Sequence, residues 1–170
     1  LHWVDKEYMR PNLPASAGRD TPFTMSKRIL IVDDEPSIRM VLRAHLTRSG
    51  YEVTAAENGA EALSLLRNDA FHLIVSDLKM PVIGGMELLS HCQESYPGLP
   101  VILITAHGTV DSAVEAIKNG ATDYVTKPFD SDELLPIINK ALRTEEKTRH
   151  ALHEDAAGRY KICLLYTSPS

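Results

Sequence analysis

Five residues in this chain each close a short apolar run and differ sharply from what precedes them. Asp33 and Asp34 follow Ile-Leu-Ile-Val, Asp77 ends Leu-Ile-Val-Ser-Asp, Thr105 ends Val-Ile-Leu-Ile-Thr, and Lys127 follows Asp-Tyr-Val-Thr. Three carboxylates brought together repel one another, and keeping all of them ionised calls for a cation. A hard divalent ion such as Mg²⁺, which prefers oxygen donors, suits that set. A carboxylate beside such an ion is shielded from the charge of an incoming phosphate dianion and can attack phosphorus, giving an aspartyl phosphate. In that chemistry Asp77 is the nucleophile and Asp33 and Asp34 are the metal side. Lys127 supplies a point charge for one phosphoryl oxygen and Thr105 a hydroxyl for another. Taken singly, each has an ordinary explanation. Asp33 and Asp34 can cap a helix ahead of Pro36, Thr105 suits a strand, and Lys127 before Pro128 suits a surface. The argument rests on their coincidence at the ends of successive runs, in charge-complementary types.

Those ends matter because of the elements that must carry them. Apolar runs of four to six residues alternate with segments of helical period, the signal of βα units and a mainly parallel sheet. Strands are expected to begin near Arg28, Tyr51, Phe71, Leu99 and Thr122. Helices are expected near Glu35 to Ser49, Gly59 to Asn68, Gly84 to Glu94, Val110 to Asn119 and Ser131 to Leu142. Pro36 suits a first helical turn, and Gly50 and Gly120 stand where helices must stop. Five units are too few for an eight-stranded barrel, so the body at 27–143 reads as one doubly wound α/β domain. In such open sheets ligands sit outside the carboxyl ends of the strands, where the five residues lie.

The remainder of the 170 residues narrows the classes further. The chain is 44% hydrophobic and 24% charged, a globular composition, and its net charge of −5 advertises neither a nucleic acid nor an anionic membrane as partner. Its longest aliphatic runs, Ile29 to Val32 and Val101 to Ile104, fall far short of the ~20 residues that span a bilayer. Two distant cysteines, Cys92 and Cys163, offer no disulfide framework or zinc site, which suits a reducing cytoplasm. Residues 1–24 lack both periodicity and the blocks of a secretory signal, and Met25 opens directly into the first strand; the segment reads as a non-native or disordered leader. Residues 161–170 break register and resemble translated adapter read-through. Between Leu142 and that tail, residues 144–160 keep good helix formers but lose the apolar stripe, as a solvated helix end or a helical linker would. His150 and His153 lie three apart there without a third ligand, and no metal site is assigned to them.

The strings ILIVDDEPSIR, AENGAEAL, DLKMPVIGGMELL and ITAHGTVDSAVEAIKNGATDYVTKPF resemble, in order and spacing, the receiver domains of two-component response regulators. The resemblance covers the body, 27–143, within a receiver domain at 25–143, and implies a flavodoxin-like (βα)5 fold with strand order 2-1-3-4-5. It implies that Asp77 accepts a phosphoryl group from a phosphohistidine on a sensor histidine kinase. It further implies Mg²⁺ on Asp34, Asp77 and the backbone carbonyl of Lys79, with Asp33 supporting through water. Lys127 and Thr105 would hold phosphoryl oxygens, and Lys127-Pro128 matches a position where the family often has a cis peptide. Tyr124 resembles the aromatic switch residue that turns inward when Thr105 moves. Lys79 and His107 stand where the family tunes dephosphorylation. A bistable face of helix four, strand five and helix five, roughly Val110 to Leu142, would then change its docking and could serve a homodimer.

The details of these strings look most like receivers of nitrogen-regulator type transcriptional activators, which precede an AAA+ ATPase and a DNA-binding domain. GRYKI, beginning at Gly158, resembles the start of such an ATPase domain, and no GxxxxGK[ST] phosphate loop follows in these residues. On that reading the chain is a switch and not a turnover enzyme, its fragment binds no nucleic acid directly, and 144–160 leads toward an output domain. A stand-alone single-domain regulator is the alternative. Aspartyl-phosphate phosphohydrolases share the residue types, but their nucleophile closes the first strand and is followed two residues later by a second Asp. Here Glu35 stands two after Asp33, and Asp77 is on the third strand with Lys79 two beyond. A pseudo-receiver typically lacks an acid or the lysine, and both are present.

Overall fold

The computed structural model describes residues 26–156, with side-chain surroundings as far as residue 148. The expected leader at 1–24, the GRYKI string and the tail at 161–170 lie outside these residues, as do the side chains of His150 and His153. Ten elements alternate without exception: β1 (Arg28–Val32), α1 (Pro36–Arg48), β2 (Glu52–Ala56), α2 (Gly59–Asn68), β3 (Leu73–Asp77), α3 (Gly85–Ser95), β4 (Val101–Thr105), α4 (Val110–Lys118), β5 (Asp123–Thr126) and α5 (Ser131–Ala156). The strands form one parallel sheet in the order β2-β1-β3-β4-β5, as the family resemblance implied.

A parallel sheet covered on both faces needs strands that are apolar on both, and β1, β3 and β4 are buried along nearly their whole length. The two-residue period divides them. Ile29, Ile31, Leu73, Val75, Ile102 and Ile104 pack with Leu42 and Leu46 of α1 and Leu134 and Ile138 of α5. Leu30, Val32, Ile74, Val101 and Leu103 pack with Ala62 and Leu66 of α2, Leu88 and Leu89 of α3, and Ala116 of α4. The register sets Asp77 opposite Ile104, and Thr105 opposite Thr126, so the chemistry-bearing residues cluster at one edge of the sheet.

Helix punctuation follows the sequence. Pro36 occupies the first turn of α1, while Gly50 and Gly120 carry φ of 95° and 99° just past the ends of α1 and α4, a left-handed conformation that costs glycine little. The strands begin one or two residues later than expected in β2 to β5; before β2 and β4 the intervening residues finish turns, Tyr51 N–H bonding the Leu46 carbonyl and Leu99 N–H the Tyr96 carbonyl.

α5 continues past Leu142 to Ala156 as one helix, as the helix formers after Leu142 implied, but its extension is not wholly solvated. Glu145 is buried and lies 3.8 Å from Lys27 Nζ, and Glu146 lies 2.9 Å from the same atom, so the extension docks on the chain entering β1. The charged sequence there hid a tertiary contact that has no periodic signal.

Gly85, at the start of α3, lets that helix approach the end of β3. A Cβ added there would collide with the Asp77 carbonyl oxygen and lie 2.9 Å from Leu78 Cα, both rigid backbone. Gly85→Ala is therefore expected to destabilise the fold by about 1–3 kcal/mol, the usual range for overpacking, read as a lowered urea midpoint. An unchanged midpoint would contradict the close approach.

Candidate functional site

The order of the sheet reverses between β1 and β3, and the crevice at their carboxyl ends is where open α/β sheets bind ligands. Asp33 and Asp34 leave β1 there and Asp77 ends β3. The three present carboxylate oxygens within 4.8 Å of one another, Asp33 and Asp77 buried and Asp34 exposed. Lys127, just beyond β5 and joined to Pro128 by a cis bond, reaches into this cluster. Its Nζ lies 3.0 Å from Asp33 Oδ2, 3.5 Å from Glu35 Oε1 and 3.7 Å from Asp77 Oδ2.

The electrostatics follow from burial and this crowding. Loss of water pushes the Asp77 carboxyl up to about 6, and the neighbouring Asp33 charge pushes the same way; Lys127 and the Leu78 N–H pull it down, and Asp34 adds a smaller upward push. Burial works against the charge on Lys127. Its hydrogen bond to Asp33 and the charges of Asp33, Asp77 and Glu35 outweigh that loss and hold the ammonium above its ordinary range. Asp33 is the most fully engaged acid: Oδ2 accepts from Lys127, and Oδ1 accepts from the Glu35 N–H at 2.8 Å.

Thr105 is brought to the same edge, buried, with its Oγ1 accepting from the His107 N–H at 3.3 Å. Tyr124 is half-buried, and its hydroxyl lies 2.9 Å from Ser112 Oγ. Ser112 also closes a capping box with Thr109 at the start of α4. Lys79 and His107 are exposed on the loops that follow β3 and β4. The expectation that the Asp33-Asp34 pair caps α1 is only indirectly met: the N-cap residue is Glu35, whose side chain makes no cap, while Asp33 receives its N–H.

Sequence reasoning passed over Glu35, Arg39 and Ser112. Glu35 was legible as the third acid in Asp-Asp-Glu. Arg39 stands four residues beyond Glu35, the helical spacing that turns a side chain back over the end of β1. Ser112, three residues after Thr109, fits the spacing of a reciprocal cap.

An acid cluster, a lysine and a buried hydroxyl at the switch point of a five-stranded parallel sheet define the class: a doubly wound α/β domain with a charged site at its carboxyl edge. The chain belongs to the response regulator receiver domain family, whose profile matches residues 29–139. It is similar to the transcriptional regulatory protein GlrR of Escherichia coli, at 41% identity over 73% of this chain and 29% of that protein. It is similar also to the DNA-binding transcriptional regulator NtrC of Escherichia coli, at 42% identity over 67% of this chain and 24% of that protein. The chain thus spans under a third of the length of these relatives. Among solved structures, the receiver domain protein from Methanospirillum hungatei superposes with a TM-score of 0.70 at 35% identity, covering 73% of this chain and 99% of that one. NtrX from Brucella abortus superposes with a TM-score of 0.71 at 34% identity, covering 75% and 29%. Among the described residues no helix is long and apolar enough to cross a membrane.

The raised Asp77 carboxyl makes a signed prediction. Below its ordinary pKa of 3.8 the residue holds its proton in both folded and unfolded chains. As pH rises from there to about 6 the unfolded chain releases the proton first, so stability falls, and above about 6 the cost is complete at about 2–3 kcal/mol. In metal-free buffer Asp77→Asn is expected to exceed the parent in stability by about 2 kcal/mol at pH 7.5 and to match it near pH 4, read from urea unfolding. An equal gain at both pH values would contradict the assignment.

Proposed function

We propose that this chain is a phosphorylation-activated signalling switch that accepts a phosphoryl group on Asp77 from a sensor histidine kinase. The observation that carries the proposal is the gathering of Asp33, Asp34 and Asp77 around Lys127, with Thr105 at the same strand edge. An all-oxygen donor set with more negative charge than Lys127 can balance is suited to Mg²⁺. Asp34 and Asp77, with the Lys79 carbonyl and with Asp33 through water, would hold it. Bound there, the ion supplies charge shielding for an approaching phosphate dianion and favours the ionised form of Asp77.

The chain's own residues do the rest. An Asp77 carboxylate oxygen attacks phosphorus in line, the phosphorus–nitrogen bond of the phosphohistidine breaks, and its electron pair returns to the imidazole of the donor. Lys127 leaves Asp33 and Glu35 for a phosphoryl oxygen, a short reorientation for an ammonium already 3.7 Å from Asp77. The Thr105 hydroxyl, an acceptor toward His107, donates to a second phosphoryl oxygen. The exposed positions Lys79 and His107 govern how water reaches the acyl phosphate, so the domain assists both its own modification and its loss without being a turnover enzyme.

The phosphoryl group carries about −1.5 to −2 in place of the carboxylate's single negative charge, and the excess draws Lys127 and Thr105 inward, and Tyr124 follows Thr105. Departure of the Tyr124 hydroxyl releases Ser112 in the first turn of α4. The face of α4, β5 and α5, where Val110, Val114 and Ile117 are exposed, is the docking surface that changes, and a homodimer through it is one such docking. The relatives' names, a transcriptional regulatory protein and a DNA-binding transcriptional regulator, support transcription regulation as the output; on the family resemblance it would run through downstream AAA+ and DNA-binding domains, with residues 144–160 as the linker, in a cytoplasmic protein. The fragment itself contributes no nucleic-acid or membrane contact. The domain so used is 25–143.

Intact-mass spectrometry of the chain after incubation with acetyl phosphate tests this. The expected result is a gain of one phosphoryl group that requires Mg²⁺ and is absent from Asp77→Asn. Labelling that persists in Asp77→Asn, or folded parent that gains nothing with Mg²⁺, would overturn the proposal.

A further inference from the structure

Arg39 is a residue that the acid-cluster chemistry does not use, yet it is tied to it more tightly than a surface base needs to be. It lies one turn into α1, its guanidinium side chain only 16% exposed. Nη1 donates to the backbone carbonyl of Asp33 at 2.7 Å, and Nη2 lies 3.5 Å from Glu57 Oε1, just beyond β2. The Glu57 pair is exposed and, as a surface ion pair, contributes little by itself. The Asp33 contact is different. It is a short charge-assisted bond to the carbonyl at which β1 gives out, so one side chain ties α1, the end of β1 and the end of β2 together.

That carbonyl belongs to the peptide unit joining Asp33 to Asp34. The unit is planar and rigid, so fixing its oxygen fixes the direction in which Asp34 leaves the strand. Asp33 is already held through its own carboxylate by Lys127 and the Glu35 N–H. Asp34 is exposed and, among the described residues, its carboxylate has no hydrogen bond or ion pair, so backbone direction alone keeps it within 4.8 Å of its two partners. We infer that Arg39 is the positioning residue for the acid cluster, orienting the Asp33–Asp34 peptide so that Asp34 faces the cation that Asp77 also binds. This rests on the proposed reading of the cluster as a Mg²⁺ site.

Charge and positioning pull in opposite directions here, which makes the inference testable by sign. Removing a cation near three carboxylates, by Coulomb attraction alone, should tighten Mg²⁺ binding. Removing the group that orients a ligand should weaken it, and loss of such outer partners typically costs 10–100-fold in metal affinity. The experiment is calorimetric titration of Mg²⁺ into the full chain and into Arg39→Gln, each shown to be folded by urea unfolding, with the rate of labelling by acetyl phosphate measured at saturating Mg²⁺. The expected result is about tenfold weaker Mg²⁺ binding in Arg39→Gln, with the saturated rate within about threefold of the parent. Arg39→Lys keeps the charge but loses the two-way fork, and is expected to fall between them. Should Arg39→Gln fail to fold, Arg39→Lys decides alone: weaker binding than the parent supports the inference and equal binding overturns it. Equal or tighter binding in folded Arg39→Gln overturns the inference while leaving the site reading intact. A parent that binds no Mg²⁺ overturns both.

Discussion

The structure is organised around an imbalance of charge at one point of the sheet. Asp33, Asp34 and Asp77 bring three negative charges within 4.8 Å, and Lys127 returns one positive charge. At neutral pH the remainder is two negative charges, and it is burial first, then the neighbouring Asp33 charge, that pushes the Asp77 carboxyl upward. Such a site is costly to fold and is tolerable only because the scaffold beneath it is rigid and apolar on both faces. In the proposed mechanism the cost would also be the source of reactivity: a divalent cation would restore neutrality, and a phosphoryl group arriving afterward would disturb it again, so each event would carry a large differential interaction with the same few side chains.

The parallel sheet both creates this imbalance and separates its parts. On β3, Asp77 shares parity with Leu73 and Val75, which face α1 and α5. On β4, Thr105 shares parity with Val101 and Leu103, which face α2, α3 and α4, and on β5 Tyr124 packs against that same cluster. The acid meets its lysine on one side of the sheet, while the hydroxyl and the aromatic stand on the other. In the proposed mechanism this division of labour gives chemistry to one face and readout to the other, with the strand ends as the point of exchange.

Much of this was legible because period and punctuation are local. The apolar runs mark five strands, Pro36, Gly50 and Gly120 mark helix limits, and the residues closing each run are those the sheet gathers into the cluster. What escaped depended on contacts with no sequence period. Glu145 reads as one more charge in a charged helix, and only the approach of Lys27 explains why it is buried. Arg39 reads as an exposed helical base until the turn of α1 carries it over Asp33. β2 and β4 start later than the apolar pattern implies because Tyr51 and Leu99 finish turns and still pack against the core, so hydrophobicity alone marks burial and not pairing.

The route from the pocket to α4 is short and made of hydroxyl groups. Thr105 is held by the His107 N–H, and His107 is two residues before Thr109, which caps α4. Ser112 completes that cap by bonding the Thr109 N–H, and the same oxygen meets the Tyr124 hydroxyl. The cap and the aromatic rotamer thus draw on one side chain, and a hydroxyl has a single proton to give. If Tyr124 withdraws, Ser112 must find its hydrogen bonds within α4 or from water, so the first turn of α4 senses the aromatic directly. In the proposed mechanism, a displacement of Thr105 by a fraction of its own length is enough to begin that exchange. The partners traded are of equal type, which keeps the two arrangements close in energy and open to bias by a single charge at Asp77.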